Sequence, residues 1–272
     1  MTLVLRELER IDSRVLGALR CVDATTGAAL DARLRVQLTR SGTPALVRRN
    51  RSGLFVITQV DTLAEHAGSF DAPPLAPALG SVALVARIED PSGRYLPRLA
   101  DLTLPRDPDP AHAATPGSLF RTLDVPMYPA AVAPLGANWS VLRVTARSTT
   151  GNALGGALVL VRNGAVRLAR GLTDWRGEAL VSVQGVPVTT WSVDPAAVVV
   201  SEITVAVDLV FDPATGTQVP QADAAAGRAP AQLPIVNPLT LETDSASLPH
   251  DTQSTQIASG RAQSLSFLLA LP

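Results

Sequence analysis

The sequence predicts an all-β protein made of two tandem antiparallel β-sandwich domains, each with about seven strands. Three observations support this fold class. One stretch recurs about 124 residues later, short apolar runs alternate with polar residues, and 22 prolines and 19 glycines interrupt the 272-residue chain. Because turn residues are so frequent, strands joined by tight turns are expected rather than long helices.

The internal repeat divides the chain into two similar halves. Asp23–Ile57 aligns without gaps on Arg147–Val181, and the turn Thr25-Thr26-Gly27 recurs as Thr149-Thr150-Gly151. Two copies of one fold in tandem are the simplest explanation of this self-similarity.

The elements within each half are predicted as strands from their period of two. Leu34, Val36 and Leu38 alternate with polar residues, which places the apolar side chains on one face. Runs rich in β-branched residues predict five further strands, at Leu54–Ile57, Val82–Ile88, Leu158–Val161, Ala179–Val183 and Ile203–Phe211. A helical pattern is found at Leu3–Val15 and at Leu63–Ala67.

The repeat and the local composition together predict the domain boundaries. We expect an N-terminal arm at residues 1–10, a first sandwich at 11–129, a linker at 130–138 and a second sandwich at 139–272. The second sandwich carries a long insertion at about residues 221–238, whose runs of alanine are expected to add little to a core. Either a binding role or a simple connecting role fits such a loop.

The turns of the repeat resemble a known signature. Asp23–Ala32 and its partner Ser148–Ala157 each place a polar turn with glycine before a step of small residues. An Asp and a Gly before an inward apolar strand follow in Thr173–Gly177, and Asn50–Gly53 is a looser version. The pattern resembles carboxypeptidase-regulatory-like and transthyretin-like domains over about 45 residues of each half. The resemblance implies an Ig-like sandwich used as an accessory, binding or structural module, usually without catalysis.

The composition argues against catalysis and cofactor binding. All 23 basic residues are arginine, so a Walker-type phosphate lysine, a Schiff base and a Lys–Asn isopeptide bond are excluded. Cys21 is the single cysteine and is expected to be buried and inert in a strand. His112 lies near Asp107 and Asp109 in a proline-rich loop, at a spacing that matches no metal site. We therefore predict no catalytic, cofactor or metal site.

Charge and hydropathy limit the expected partners and location. The net charge is −1 and aromatic residues make up 4%, so nucleic acid is not an expected partner. No apolar run approaches the ~20 residues of a membrane span, and acidic residues stand where a secretory apolar region would be. The expected location is the cytoplasm, with release by lysis or within a particle as an alternative.

The candidate interaction residues are an apolar triplet in the arm, a basic turn and one tryptophan: Leu3, Leu5, Leu8, Arg48, Arg49, Arg51 and Trp191. The arm leucines should not stay exposed on an isolated tail, so we expect them to pack on their own domain or on a neighbouring chain. The basic turn either lies in solvent or grips an anionic group. Among the other aromatic residues, Trp139 and Trp175 are expected in the core, whereas Tyr95 and Tyr128 are available to a ligand.

Three classes of function remain after these exclusions. The leading hypothesis is a non-enzymatic structural or assembly protein, such as a component of a phage-tail-like or contractile injection particle, with protein partners through self-association or a larger assembly. The alternative is an accessory module that binds carbohydrate or peptide through loops at one end of a sandwich. A hydrolase with an unrecognised acidic pair is the third.

Overall fold

The computed structural model describes residues 14–31, 33–40, 43–68, 74–136, 138–187, 190–191, 198–199 and 202–272. The chain forms two compact units, each assembled from separate segments. The smaller unit takes residues up to Arg20 together with Gln37–Ala86 and Asp101–Asp124, and the larger takes Cys21–Val36, Arg87–Ala100 and Val125–Pro272.

Seven strands of the first half form one sheet. They are β1 (Gly17–Asp23), β2 (Arg35–Arg40), β3 (Thr43–Arg49), β4 (Phe55–Gln59), β5 (Val82–Glu89), β6 (Arg98–Leu104) and β7 (Leu123–Met127). Their hydrogen-bonded order is β6-β5-β2-β3-β4-β1-β7. A 3-10 turn at Asp61–Leu63 leads into the short helix α1 (Ala64–Gly68), and a second 3-10 turn covers Pro110–His112.

The strands of the second half build two main sheets. They are β8 (Ser140–Ser148), β9 (Ala153–Gly155), β10 (Leu158–Asn163), β11 (Val166–Leu172), β12 (Glu178–Val183), β13 (Thr190–Trp191), β14 (Val198–Val199), β15 (Ile203–Val210), β16 (Thr217–Val219), β17 (His250–Ile257) and β18 (Ala262–Leu269). One sheet has the order β11-β10-β15-β17, and the other has the order β12-β8-β9-β16 with β18 added to β8 in parallel. Strands β13 and β14 form a separate two-stranded sheet. The second half also contains the short helices α2 (Gln221–Ala225) and α3 (Pro238–Thr243).

The two main sheets of the second half pack face to face around an apolar core. Val159 and Leu209 of the four-stranded sheet belong to the same buried cluster as Leu142 and Val181 of the other sheet. The packing is close, because a Cβ added at Gly171 would lie 2.5 Å from a methyl carbon of Val181. This arrangement is the sandwich that the alternating pattern predicts.

Strand β10 is apolar on both faces because a second layer covers its outer side. Leu158 and Leu160 point away from the sandwich core into a separate cluster that includes Val236 and Leu241. Residues 221–233 of the predicted insertion are exposed or half-buried, as expected, but Val236 is fully buried. The alanine runs of the insertion thus add little to a core, as expected, whereas Val236 near its C-terminal end belongs to this second layer.

The all-β fold class is confirmed by these sheets. Cys21 is buried in β1, and α1 falls on the predicted helical pattern at 63–67. The internal repeat and the domain boundaries at 11–129 and 139–272 stay predictions.

Candidate functional site

The predicted interaction residues do not converge in the described part of the chain. Leu3, Leu5 and Leu8 lie outside the described residues. Trp191 lies in β13 and pairs with Val198 of β14, and its side chain also lies outside the description.

The basic turn is an exposed hairpin tip. Arg48 and Arg49 end β3, and Arg51 belongs to the turn that leads to β4. Asn50 closes this turn, because its side-chain oxygen accepts a hydrogen bond from the Leu54 amide at 2.9 Å. All three arginines are exposed on this turn.

A cleft of about 940 Å³ opens in the larger unit and is the candidate site. All residues that line it belong to that unit, although they come from both halves of the sequence. They combine arginines, carboxylates, two aromatic residues and several aliphatic side chains: Arg35, Arg87, Glu89, Asp90, Tyr95, Leu96, Val132, Asp174, Trp175, Arg176, Leu233 and Ile235 among others.

One wall of the cleft is held by a turn that Asp90 organises. The Asp90 carboxylate accepts hydrogen bonds from the amides of Ser92 at 2.9 Å, Arg94 at 3.1 Å and Tyr95 at 3.2 Å. Partial burial opposes the charged form, but the hydrogen bonds from the Ser92 hydroxyl, at 2.7 and 2.8 Å, and from these amides outweigh it and hold the pKa of Asp90 below its usual value. The backbone that carries Tyr95 is thus fixed from within the wall.

A second carboxylate fixes the side chain of Tyr95. The Tyr95 hydroxyl donates to Asp23 Oδ2 at 2.8 Å, while Asp23 Oδ1 accepts from the amides of Thr25 and Thr26, both at 2.8 Å. Burial, together with this bond and the charge of Asp23, raises the pKa of Tyr95 to about 12. Tyr95 therefore stays a protonated donor, and the Asp23 turn positions a cleft residue as well as closing a hairpin.

The opposite aromatic residue, Trp175, lies at the tip of a similar turn. Asp174 is only 7% exposed and accepts from the amides of Arg176 at 2.9 Å and Glu178 at 3.1 Å. The Arg176 guanidinium makes two bonds to Asp174 Oδ2, at 3.0 and 2.8 Å, and its carbon lies 5.9 Å from the centre of the Trp175 ring. The hydrogen bonds that Arg176 donates to the Asp174 carboxylate raise the pKa of Arg176.

Aliphatic side chains face solvent at the cleft. Val132 is 77% exposed and Leu233 is 48% exposed, whereas Leu96 and Ile235 beside them are half-buried. Aliphatic side chains grouped with aromatic and charged residues in one concave surface are typical of a binding site.

The aromatic residues are where the sequence prediction needs correction. Trp175 is half-buried in the cleft wall and Trp139 is half-buried, so neither is the fully buried core residue that was expected. Tyr128 is 1% exposed, with Arg98 stacked 5.6 Å from its ring centre, so it is not available to a ligand. Tyr95, which was expected to be available to a ligand, is half-buried and lines the cleft.

A signal in the sequence could have found both cleft aromatics. Each lies in or just after a turn that starts with aspartate, Asp90-Pro-Ser-Gly93 or Asp174-Trp-Arg-Gly177. Aspartate at the first position of a turn accepts from backbone amides two to five residues later, so it fixes the residues that follow it.

The loop that holds His112 forms an exposed ion pair in the smaller unit. His112 Nδ1 lies 2.7 Å from Asp107 Oδ2. This hydrogen bond and the charge of Asp107 raise the pKa of His112, while the Asp109 amide and His112 lower the pKa of Asp107. Within the described ranges, no three His, Cys, Asp or Glu residues come together in a way that could hold a metal ion.

Comparison with known proteins yields no family. No family model matches the sequence, and no curated protein matches it. Among solved structures, the chain is similar to the Bacillus anthracis TIE protein, with 10% sequence identity and a TM-score of 0.27; the match covers 94% of this chain and 34% of that one, so this chain spans about a third of its length. At this TM-score the similarity carries no information on fold or function. No helix of the described residues has the length and apolar character needed to cross a membrane.

Proposed function

We propose that this chain is a non-enzymatic structural or assembly protein that acts through protein–protein contacts at the cleft. The observation that carries the proposal is the pair of solvent-facing aliphatic side chains, Val132 and Leu233, in a cleft that also contains arginines and two aromatic residues. Burying such side chains against a partner gains about 25 cal/mol for each Å² of apolar surface. A component of a phage-tail-like or contractile particle that folds in the cytoplasm is the setting we propose for these contacts.

The contacts that the two cleft aromatic residues already make favour a protein partner over a sugar. A carbohydrate-binding cleft needs an open aromatic face for stacking, and Arg176 lies near the face of Trp175. Tyr95 is also tied to Asp23 through its hydroxyl, which leaves it less free to bond a sugar hydroxyl. The fixed walls and the aliphatic rim suit a peptide segment whose side chains enter the cleft.

The test is the mass of the full chain in solution by size exclusion with light scattering, over a range of concentrations. We expect a mass that rises with concentration above the 28.4 kDa of one chain. The double variant Val132→Glu and Leu233→Glu should stay monomeric, because charges in the cleft oppose burial of its rim. The control Val166→Glu changes a valine of β11 whose 62% exposure lies between those of Val132 and Leu233, and it should associate like the wild type.

Two results would refute this proposal. One is a full chain that is monomeric at every concentration, and the other is a cleft variant that associates as strongly as the control. If a soluble oligosaccharide binds to the wild type and fails to bind to the cleft variant, the alternative of a carbohydrate-binding module replaces it.

A further inference from the structure

A short loop of the smaller unit projects apolar side chains into solvent. It comprises residues 74–79, with the sequence Pro-Leu-Ala-Pro-Ala-Leu, and we call it the leucine loop. In the part of the chain that the structure describes, Leu75 is the most exposed of the large apolar residues, at 97%, and Leu79 is 52% exposed. Exposed apolar side chains grouped in one projection mark a surface that contacts a partner.

Hydrogen bonds at the C-terminal side of the leucine loop hold it in place. Nε2 of the buried His66 lies 3.2 Å from the carbonyl oxygen of Pro77. The Ser81 hydroxyl donates to the Ala78 carbonyl oxygen at 2.6 Å. Two of the six loop residues are proline, which restricts the backbone further. A loop held in this way loses little conformational entropy when it binds to a partner.

The cleft of the larger unit is suited to an uncharged apolar segment. Val132 and Leu233 expose their side chains there. The carboxylates of Glu89 and Asp174 are already paired with arginines of the same wall, and that of Asp90 accepts backbone amides. A cation would therefore find no carboxylate left without a bonding partner, whereas the leucine loop, which has no charged residue, would bury apolar surface.

The charges around the two surfaces are complementary as well. Arg35 lines the cleft and forms no ion pair with any residue that the structure describes. Asp61 and Glu65 are exposed and likewise form no ion pair within the described ranges. They belong to the 3-10 turn and to helix α1, and α1 also carries the His66 that contacts the leucine loop. Opposite charges beside the loop and the cleft favour the approach of one surface to the other.

We infer that the leucine loop of one copy binds in the cleft of a second copy, with Leu75 against Val132 and Leu233. The inference rests on the proposed function, since it names the partner of the same cleft. The loop and the cleft are different surfaces, so the contact joins copies head to tail and leaves one loop and one cleft unoccupied in each oligomer. Association of this kind continues from copy to copy, which suits a component of a particle.

The first test changes the loop alone and measures the mass of the full chain by light scattering. Leu75→Glu should weaken association at least about tenfold, because binding would bury a charge in the cleft. Leu75 is almost fully exposed, so the variant should keep its fold, which circular dichroism and the thermal midpoint check. The control Leu268→Glu changes a leucine of β18 that is 63% exposed and should associate like the wild type.

A mixture of two variants tests whether the loop and the cleft bind each other. The Leu75→Glu chain keeps an intact cleft, and the chain with Val132→Glu and Leu233→Glu keeps an intact leucine loop. Each chain should be monomeric alone at a concentration at which the wild type associates. An equimolar mixture should form a heterodimer with one copy of each chain, because one intact loop and one intact cleft remain. General disturbance of either chain would not be rescued by mixing.

The outcomes separate this inference from the proposed function. If Leu75→Glu associates like the control while the cleft variant is monomeric, another surface enters the cleft, so the inference is overturned and the proposed function stands. If both variants are monomeric and their mixture is monomeric too, the loop and the cleft do not bind each other, and the inference is again overturned. If the wild type is monomeric at every concentration, both fail.

Discussion

At the scale of single residues, three aspartates determine the geometry of the candidate site. Asp23, Asp90 and Asp174 each accept backbone amides in a turn, and each of these turns also positions Tyr95 or Trp175. A carboxylate bonded in this way gains stability from charge-assisted hydrogen bonds and holds the following residues in one conformation. The aromatic walls of the cleft are therefore rigid before any partner arrives.

The hydrogen bond from Tyr95 to Asp23 predicts a loss of stability at high pH. Folding raises the pKa of Tyr95 from 10.0 to about 12. The hydrogen bond therefore contributes fully to the free energy of unfolding below about pH 10, and this contribution is lost as the pH rises towards 12. Tyr95→Phe should lower the free energy of unfolding by about 1–2 kcal/mol at pH 8. Urea unfolding at pH 8 and pH 11 measures both effects. An equal loss in wild type and variant between these pH values would contradict the assignment.

The turn at Asp174 should make the protein sensitive to substitution of Gly177. This glycine has a φ of +73°, and an added Cβ would lie 2.4 Å from the carbonyl oxygen of Ala146. Gly151 has a φ of +88° with open space around it, so it is the matched control. Gly151→Ala should cost about 1–2 kcal/mol for backbone strain alone, and Gly177→Ala about 1–3 kcal/mol more. Chemical denaturation of both variants tests this order, and equal costs would show that the turn can shift away from Ala146.

At the scale of elements, the second half is closed by strand β18. It pairs in parallel with β8 along its whole length, from Ala262 opposite Val141 to Leu269 opposite Ser148. Its pattern places Phe267 in the core and Leu268 in solvent. A pattern of period two predicts the buried face of such a strand, but the parallel direction depends on which edge of β8 is free in the folded chain.

Substitutions at two adjacent residues of β18 should have very different effects on the free energy of unfolding. Phe267 is 2% exposed, so Phe267→Ala should lower the free energy of unfolding by about 3–5 kcal/mol through lost burial and a cavity. Leu268 is 63% exposed, and Leu268→Ala should change it by less than about 0.5 kcal/mol. Denaturant unfolding measures the difference, provided that the dependence of the unfolding free energy on denaturant concentration is the same for both variants. Similar costs at the two positions would mean that the strand is shifted by one residue.

At the scale of the whole molecule, two compact units are built from interleaved segments rather than from consecutive stretches. The larger unit combines residues 21–36 and 87–100 with the second half, and its cleft draws on all three segments. Contacts between residues so distant in the chain cannot be inferred from a local pattern, because each segment shows only its own periodicity.

Self-association through the cleft should depend on salt. Arg35 and Arg87 line the cleft and are exposed, and exposed charges are screened within about 10 Å at 0.1 M salt. Raising the salt from about 0.05 M to about 0.5 M should weaken association several-fold, whereas the rim contact of Leu233 should be affected less. Light scattering across this range measures the effect. Association that strengthens with salt would indicate that the apolar rim alone holds the copies together.

The all-β class, the strands around Leu34 and Val82, and the buried Cys21 could be inferred from the sequence, because period-two patterns and turn residues act over a few positions. The cleft could not. Trp175 is a large aromatic residue of the kind expected in a core. Its turn is held by Asp174 and faces residues from distant segments, and this places Trp175 in the wall of the cleft. Val236 lies in the predicted insertion, and only the tertiary structure shows that it covers the outer face of β10. Burial and site geometry depend on what packs against a residue, and that partner lies far away in the chain.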